Sequence, residues 1–123
     1  MTIEFKDNIP IYLQIVEDIK MKIMANKLKV GDKLSSVREL AMIYGVNPNT
    51  VQKALSELER ASLVKAERTA GRYICATPEQ IKDLKDQVAK AKVEEFMEAM
   101  QDLGYEKKEI MMFIERSKTN DGE

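Results

Sequence analysis

Residues 36–61, SVRELAMIYGVNPNTVQKALSELERA, decide the fold. Ser35 or Ser36 offers a helix N-cap, and Ser36 stands three residues before Glu39, the pattern in which a hydroxyl and a carboxylate reciprocally cap the first turn of a helix. The helix that starts there turns Leu40, Ala41 and Ile43 inward and then meets Gly45, the residue type best able to take the left-handed conformation that ends helices. Asn47 can cap a second helix with Pro48 at its first position, where a missing N–H costs nothing. Val51, Ala54, Leu55 and Leu58 recur at the i, i+3, i+4, i+7 spacing and give that helix one apolar stripe. Two short capped helices across a tight turn make a helix-turn-helix. Val46 is expected to plug the crevice between them, and Ala41 to allow their close approach.

On the N-terminal side, Pro10 suits the first turn of a helix, and Ile11, Ile15, Ile19 and Ile23, flanked by Tyr12, Val16 and Met24, define an amphipathic helix to about Asn26. Residues 27–34, with Gly31 and Asp32, read as a turn leading to a short extended piece. Beyond the helix pair the period changes. Leu63, Val64 and Ala66, then Tyr73, Ile74 and Cys75, flank a turn that contains Gly71, which predicts a two-stranded hairpin. Three helices followed by a hairpin give a mainly α fold with a small β element, a winged helix-turn-helix over residues 1–76. Thr77, Pro78 and Gln80 then start a long helix, expected to reach about Leu103 before Gly104 stops it. A shorter helix over 107–116 follows. Residues 77–116 are thus read as a two-helix appendage, and 117–123 as a polar tail expected to be disordered.

Length and composition agree. A chain of 123 residues holds one modest domain and an appendage, not two full cores. No run approaches the roughly 18 to 20 apolar residues of a membrane span, and the first residues lack a basic region followed by an apolar one, so no membrane association and a cytoplasmic location are expected. Cys75 is the sole cysteine; it excludes an internal disulfide and reads as a small packing residue. The net charge of −1 conceals an asymmetry. Residues 1–76 carry 8 Lys and 4 Arg against 9 acidic side chains, net +3, and residues 77–123 carry 7 Lys and 1 Arg against 12, net −4.

These residues equip the chain poorly for catalysis. Histidine is absent, no cysteine is paired with a base, and there is no glycine-rich phosphate loop. Neither an enzyme activity nor a cofactor is expected. Metal binding is not expected either, and the acidic cluster Glu94, Glu95, Glu98 reads as a solvated helix face. Double-stranded DNA is the partner that the helix pair suits. In such a pair the second helix enters the major groove by its N-terminal end, while the first crosses the backbone. Asn47, Asn49, Thr50, Gln52 and Lys53 gather at that end, with Ser36 and Arg38 on the first helix; amide, hydroxyl, ammonium and guanidinium groups suit base edges and phosphates. Arg68 and Arg72 flank the hairpin turn around Gly71, a placement suited to a narrow, electronegative minor groove. The alternative is a winged helix used only to bind protein, for which the start of the second helix would more often be apolar or aromatic.

The ordered motifs resemble a known family. Residues 10–15 (PIYLQI), 31–41 (GDKLSSVRELA), 45–51 (GVNPNTV) and 55–59 (LSELE) look like the N-terminal domain of GntR-type bacterial transcriptional regulators. The resemblance implies operator contacts from Arg38, from Asn49, Thr50 and Gln52, and from a wing tip at Gly71. The chain departs from the family pattern in having Ser35 where proline is common, Ser62 where glycine is common, a Thr69-Ala-Gly-Arg wing, and Pro48 where many members place an arginine.

The appendage needs a partner for its apolar positions Ile81, Leu84, Val88, Phe96, Met100, Leu103, Ile110, Phe113 and Ile114, and a second copy of the chain is expected to cover them. Two-fold pairing would make the DNA site a palindrome, and a repressor the expected regulator. Met97, Met111 and Met112 read as adaptable packing there. The short appendage is similar to that of the YtrA subgroup of the same family, a resemblance that implies dimerisation through these helices and control of a transporter operon. No residue pattern defines a small-molecule effector.

Overall fold

The computed structural model describes residues 3–68 and 71–117. Its elements follow in the order α1 (Ile11–Met24), α2 (Val37–Tyr44), α3 (Pro48–Arg60), β1 (Val64–Glu67), β2 (Gly71–Ile74), α4 (Pro78–Asp102) and α5 (Lys107–Arg116). Mainly helical with one hairpin, this is the expected winged-helix order. By its contacts the chain divides into two units, residues 1–84 and 85–123.

In the first unit α1 lies against α3 because both helices carry a single apolar stripe. Ile15, Val16, Ile19 and Ile23 of α1 and Val51, Ala54, Leu55 and Leu58 of α3 are all at most 4% exposed. Full burial of one such Val, Ile or Leu side chain contributes about 1.5–3 kcal/mol. Leu40 and Ala41 of α2, Leu63 and Val64, and Ile74 and Ala76 complete the same core. Val46 packs against it from the turn between α2 and α3, as the sequence predicts.

Tyr44, which carries no signal in the periodicity, is buried as well. Its phenol donates to Asp18 Oδ2 at 2.7 Å, and Lys22 bonds to the same carboxylate. The Lys22 ammonium also stands 5.9 Å from the centre of the Tyr44 ring. Desolvation, and then the Asp18 carboxylate, hold the phenol pKa well above its ordinary value. This three-residue brace ties α2 to α1.

At the start of α1 a side chain from the helix's first turn ties down the segment that leads into it. Gln14 Oε1 accepts the Lys6 N–H at 2.8 Å, and Gln14 Nε2 donates to the carbonyls of Lys6 and Ile9 at 2.9 and 2.7 Å.

The hairpin is antiparallel, pairing Val64 with Ile74 and Glu67 with Gly71 at its two ends. The extended piece after Gly31 lies along the other edge of β2. Lys33 bridges to Tyr73, the Leu34 N–H donates to the Arg72 carbonyl at 2.9 Å, and the Ile74 N–H donates to the Asp32 carbonyl at 2.8 Å. Both edges of β2 are therefore engaged. The wing residues Thr69 and Ala70, and the tail after Ser117, lie outside the described residues.

Helix α4 begins as its sequence predicts: the Thr77 hydroxyl accepts the Gln80 N–H at 3.1 Å, and Gln80 Oε1 accepts the Thr77 N–H at 2.8 Å. Ile81 and Leu84, in its first two turns, are half-buried against the winged core of their own chain. In the second unit Ile110 is fully buried, and Tyr105 meets Phe113 edge to face with ring centres 5.1 Å apart. Three of the nine positions expected to face a second copy, Ile81, Leu84 and Ile110, thus have burial within the chain. Phe96, Leu103, Phe113 and Ile114 are exposed, and Val88 and Met100 are half-exposed. Among the described residues no helix is long and apolar enough to cross a membrane.

Candidate nucleic-acid interface

Helix α2 starts with the reciprocal cap that its sequence dictates. The Ser36 hydroxyl accepts the Glu39 N–H at 3.1 Å, and Glu39 Oε1 accepts the Ser36 N–H at 2.9 Å. The bond from the Ser36 backbone, with the Ser36 hydroxyl second, lowers the Glu39 pKa. One turn into solvent from this cap, Arg38 is exposed and has no hydrogen-bond or ion-pair partner among the described residues. Gly45 then takes φ of 69°, and the chain reverses toward α3.

Asn47 caps α3 by accepting the Asn49 N–H on its Oδ1 at 2.7 Å. Pro48 occupies the first turn as expected. The Asn49 side chain is exposed, and Thr50 is half-buried at the edge of the core. Gln52 and Lys53 are exposed one turn further on, and each is already engaged. The Lys53 ammonium stands 4.8 Å over the Tyr12 ring of α1. Gln52 Oε1 accepts from Arg72 Nη2 at 3.3 Å.

Arg72 is the residue that joins the wing to α3. Besides its bond to Gln52, its Nε donates to Glu59 Oε2 at 2.7 Å. Its charge is therefore met by a carboxylate seven residues further along α3 than Gln52, on the same helix face. Arg68 is exposed on the described side of the wing tip. Gly71 has φ of 81°, where a side chain would be strained, and a Cβ there would meet Lys33 Cε at 3.4 Å.

Between the wing and the start of α2 runs an open groove of about 480 Å³, lined by Lys33, Ser35, Ser36, Glu39, Gly71 and Arg72, among others. The structure thus brings together Ser36, Gly71 and Arg72 along one groove, and Gln52 with Arg72. It turns Lys53 toward α1. Sequence reasoning missed Lys33, Glu59 and Tyr12, because each acquires its role from a residue distant in sequence.

The comparisons with known proteins agree with this architecture. The family model described as "Bacterial regulatory proteins, gntR family" matches residues 11–74. The chain is 40% identical over 108 residues to YhcF, an uncharacterized HTH-type transcriptional regulator of Bacillus subtilis, covering 88% of this chain and 89% of that protein. It is 47% identical over 72 residues to the transcriptional repressor YtrA of the same organism, covering 58% of this chain and 55% of YtrA. A solved GntR family transcriptional regulator from Listeria monocytogenes superposes with a TM-score of 0.81 at 38% identity, over 93% of this chain and all of that one. The AraR DNA-binding domain in complex with operator ORR3 superposes with a TM-score of 0.54 at 25% identity, over 59% of this chain and 88% of that one. The capped helix pair, the wing and these likenesses converge: the chain belongs to the GntR family of bacterial transcriptional regulators, alongside YtrA and YhcF.

Proposed function

We propose that the chain is a repressor that binds a palindromic operator as a homodimer, with the operator beside a promoter so that occupancy obstructs polymerase. One observation carries the DNA half of this reading. The starts of α2 and α3 leave Arg38 and the Asn49 side chain exposed and unpartnered among the described residues, and a groove runs between the start of α2 and the wing. Arg38 suits a guanine edge or a phosphate. Ser36, Asn47, Asn49, Thr50, Gln52 and Lys53 serve the same surface, with Arg68, Gly71 and Arg72 contributed by the wing. The likeness to an operator-bound domain supports the duplex as partner, and the likeness to YtrA, a transcriptional repressor, supports a repressor; a transporter operon is the target that we propose from the subgroup resemblance alone.

The dimer half rests on the second unit. Val93, Phe96, Leu103, Met111, Phe113 and Ile114 are all at least 42% exposed there, more apolar surface than two helices ordinarily leave in water. A second copy covers this surface, and the two reading heads then address two half-sites. The regulator acts in the cytoplasm.

Selection of bound sites from random duplex DNA, with the mass of the protein measured in solution, tests both halves. The expected result is an inverted repeat bound by a particle of twice the chain mass, with affinity falling steeply as salt rises. A monomer at micromolar concentration overturns the dimer. Absence of salt-dependent binding to any duplex overturns the DNA reading.

A further inference from the structure

We infer that Gln52 reads guanine and rejects adenine, because Arg72 of the wing holds its amide as a hydrogen-bond donor. The inference rests on the DNA reading above and deepens it.

A glutamine amide has two faces: a carbonyl that accepts and an NH2 that donates. Adenine in the major groove is recognised by using both, the NH2 toward N7 and the carbonyl toward the N6 amine. In this chain the carbonyl is turned to the wing, with one of its two lone pairs engaged there. Gln52 Oε1 accepts from Arg72 Nη2 at 3.3 Å, and Arg72 is itself anchored by Nε donating to Glu59 Oε2 at 2.7 Å. The Nε bond to Glu59 fixes the guanidinium beside α3, so its Nη2 stays presented to the Gln52 carbonyl. Oxygen and nitrogen diverge from the same carbon, so holding the oxygen on the wing turns the NH2 away from it, at an exposed position on the reading helix. What remains for DNA is a donor with two hydrogens. Guanine, which offers two acceptors at N7 and O6 and no donor between them, is the base edge that matches.

Neighbouring groups share this bias. Asn47 Oδ1 is used by the Asn49 N–H, and Ser36 Oγ by the Glu39 N–H. With their oxygens engaged in caps, Asn47 retains its NH2 and Ser36 its hydroxyl hydrogen. Arg38 has only donors to give. Ser36, Arg38 and Asn47 thus offer hydrogens to acceptors, and Gln52 is where that bias meets a base. Arg72 acts through Gln52 as a positioning residue.

The experiment is selection of sites from random duplex DNA by the full chain, compared with Gln52→Ala, Gln52→Glu and Arg72→Ala. Gln52→Ala identifies the position in each half-site that loses its preference. There the unsubstituted chain is expected to select guanine over adenine by about 5- to 100-fold. Gln52→Glu keeps an oxygen for Arg72 and exchanges the donor for a second acceptor, so the preference should move to cytosine, whose exocyclic amine donates. Arg72→Ala should free the carbonyl and admit adenine at that position. Adenine selected by the unsubstituted chain, a guanine preference untouched by Arg72→Ala, or no position sensitive to Gln52 overturns the inference with the DNA reading intact. Absence of salt-dependent binding to any duplex overturns both. Should Arg72→Ala fail to fold, seen in its melting curve, the base chosen by Gln52→Glu decides alone.

Discussion

Ser62 takes φ of 62°, left-handed backbone that costs a residue with a Cβ roughly 1–2 kcal/mol. It sits just past the cap of α3, where the Leu63 N–H returns to the Leu58 carbonyl at 3.0 Å and closes the helix end. Ser62→Gly relieves that strain and should raise stability by about 0.5–1 kcal/mol, the entropy of the freer unfolded chain offsetting part of the gain. A melting temperature unchanged or lowered would contradict this. Arg38 poses the complementary test at the reading surface. Arg38→Ala is expected to cost about 1–3 kcal/mol on the selected operator and much less on random duplex, whereas equal losses on both would make it a phosphate contact. The position of Arg38 was legible in the sequence because it depends only on its place in a capped helix. The engagement of Arg72 with Glu59, and of Lys53 with Tyr12, was not, since each pair joins elements whose docking no local pattern records.

The helices α1 to α4 were readable as elements because each carries its own start signal, its own stripe, or both. Ser36 with Glu39, Asn47 with Pro48, and Thr77 with Gln80 form the caps that the sequence announces. What escaped the periodicity is the hardware between elements: the strip at Lys33 along β2, and the Tyr44, Asp18, Lys22 brace between α1 and α2. Removing the phenol with Tyr44→Phe leaves a partly buried carboxylate with one partner fewer, and should cost about 1–2 kcal/mol. The same brace predicts a pH dependence. The Tyr44 pKa is raised in the folded chain from an ordinary value of 10.0, so the folded state holds this proton more tightly than the unfolded one. Its contribution is full below about pH 10 and is lost as pH rises beyond it. Denaturant titrations between neutral pH and pH 11 should show an alkaline decline that Tyr44→Phe reduces; an identical decline in both proteins would place its origin elsewhere.

At the scale of the whole molecule, the sequence divides its charge, with net +3 in residues 1–76 and net −4 in 77–123. That division places the net cationic excess in the unit proposed to meet a phosphate backbone and leaves the appendage net acidic. In the proposed dimer the appendage would be held to a second copy mainly by apolar contact. Its apolar positions were visible in the sequence, but which of them the chain uses for itself was not, because the burial of Ile81, Leu84 and Ile110 follows from tertiary docking. Phe96 separates the two uses. It is 42% exposed on α4, a helix with no fully buried residue, so a charge placed there disturbs no core of the single chain. Phe96→Asp should leave the melting curve of the winged unit unchanged and convert the particle from two chains to one by light scattering. On DNA it should retain affinity for an isolated half-site while losing most of its advantage on the full palindrome, since the second head no longer arrives tethered to the first. A Phe96→Asp protein that stays dimeric and binds the palindrome as before would move the interface off this face of α4.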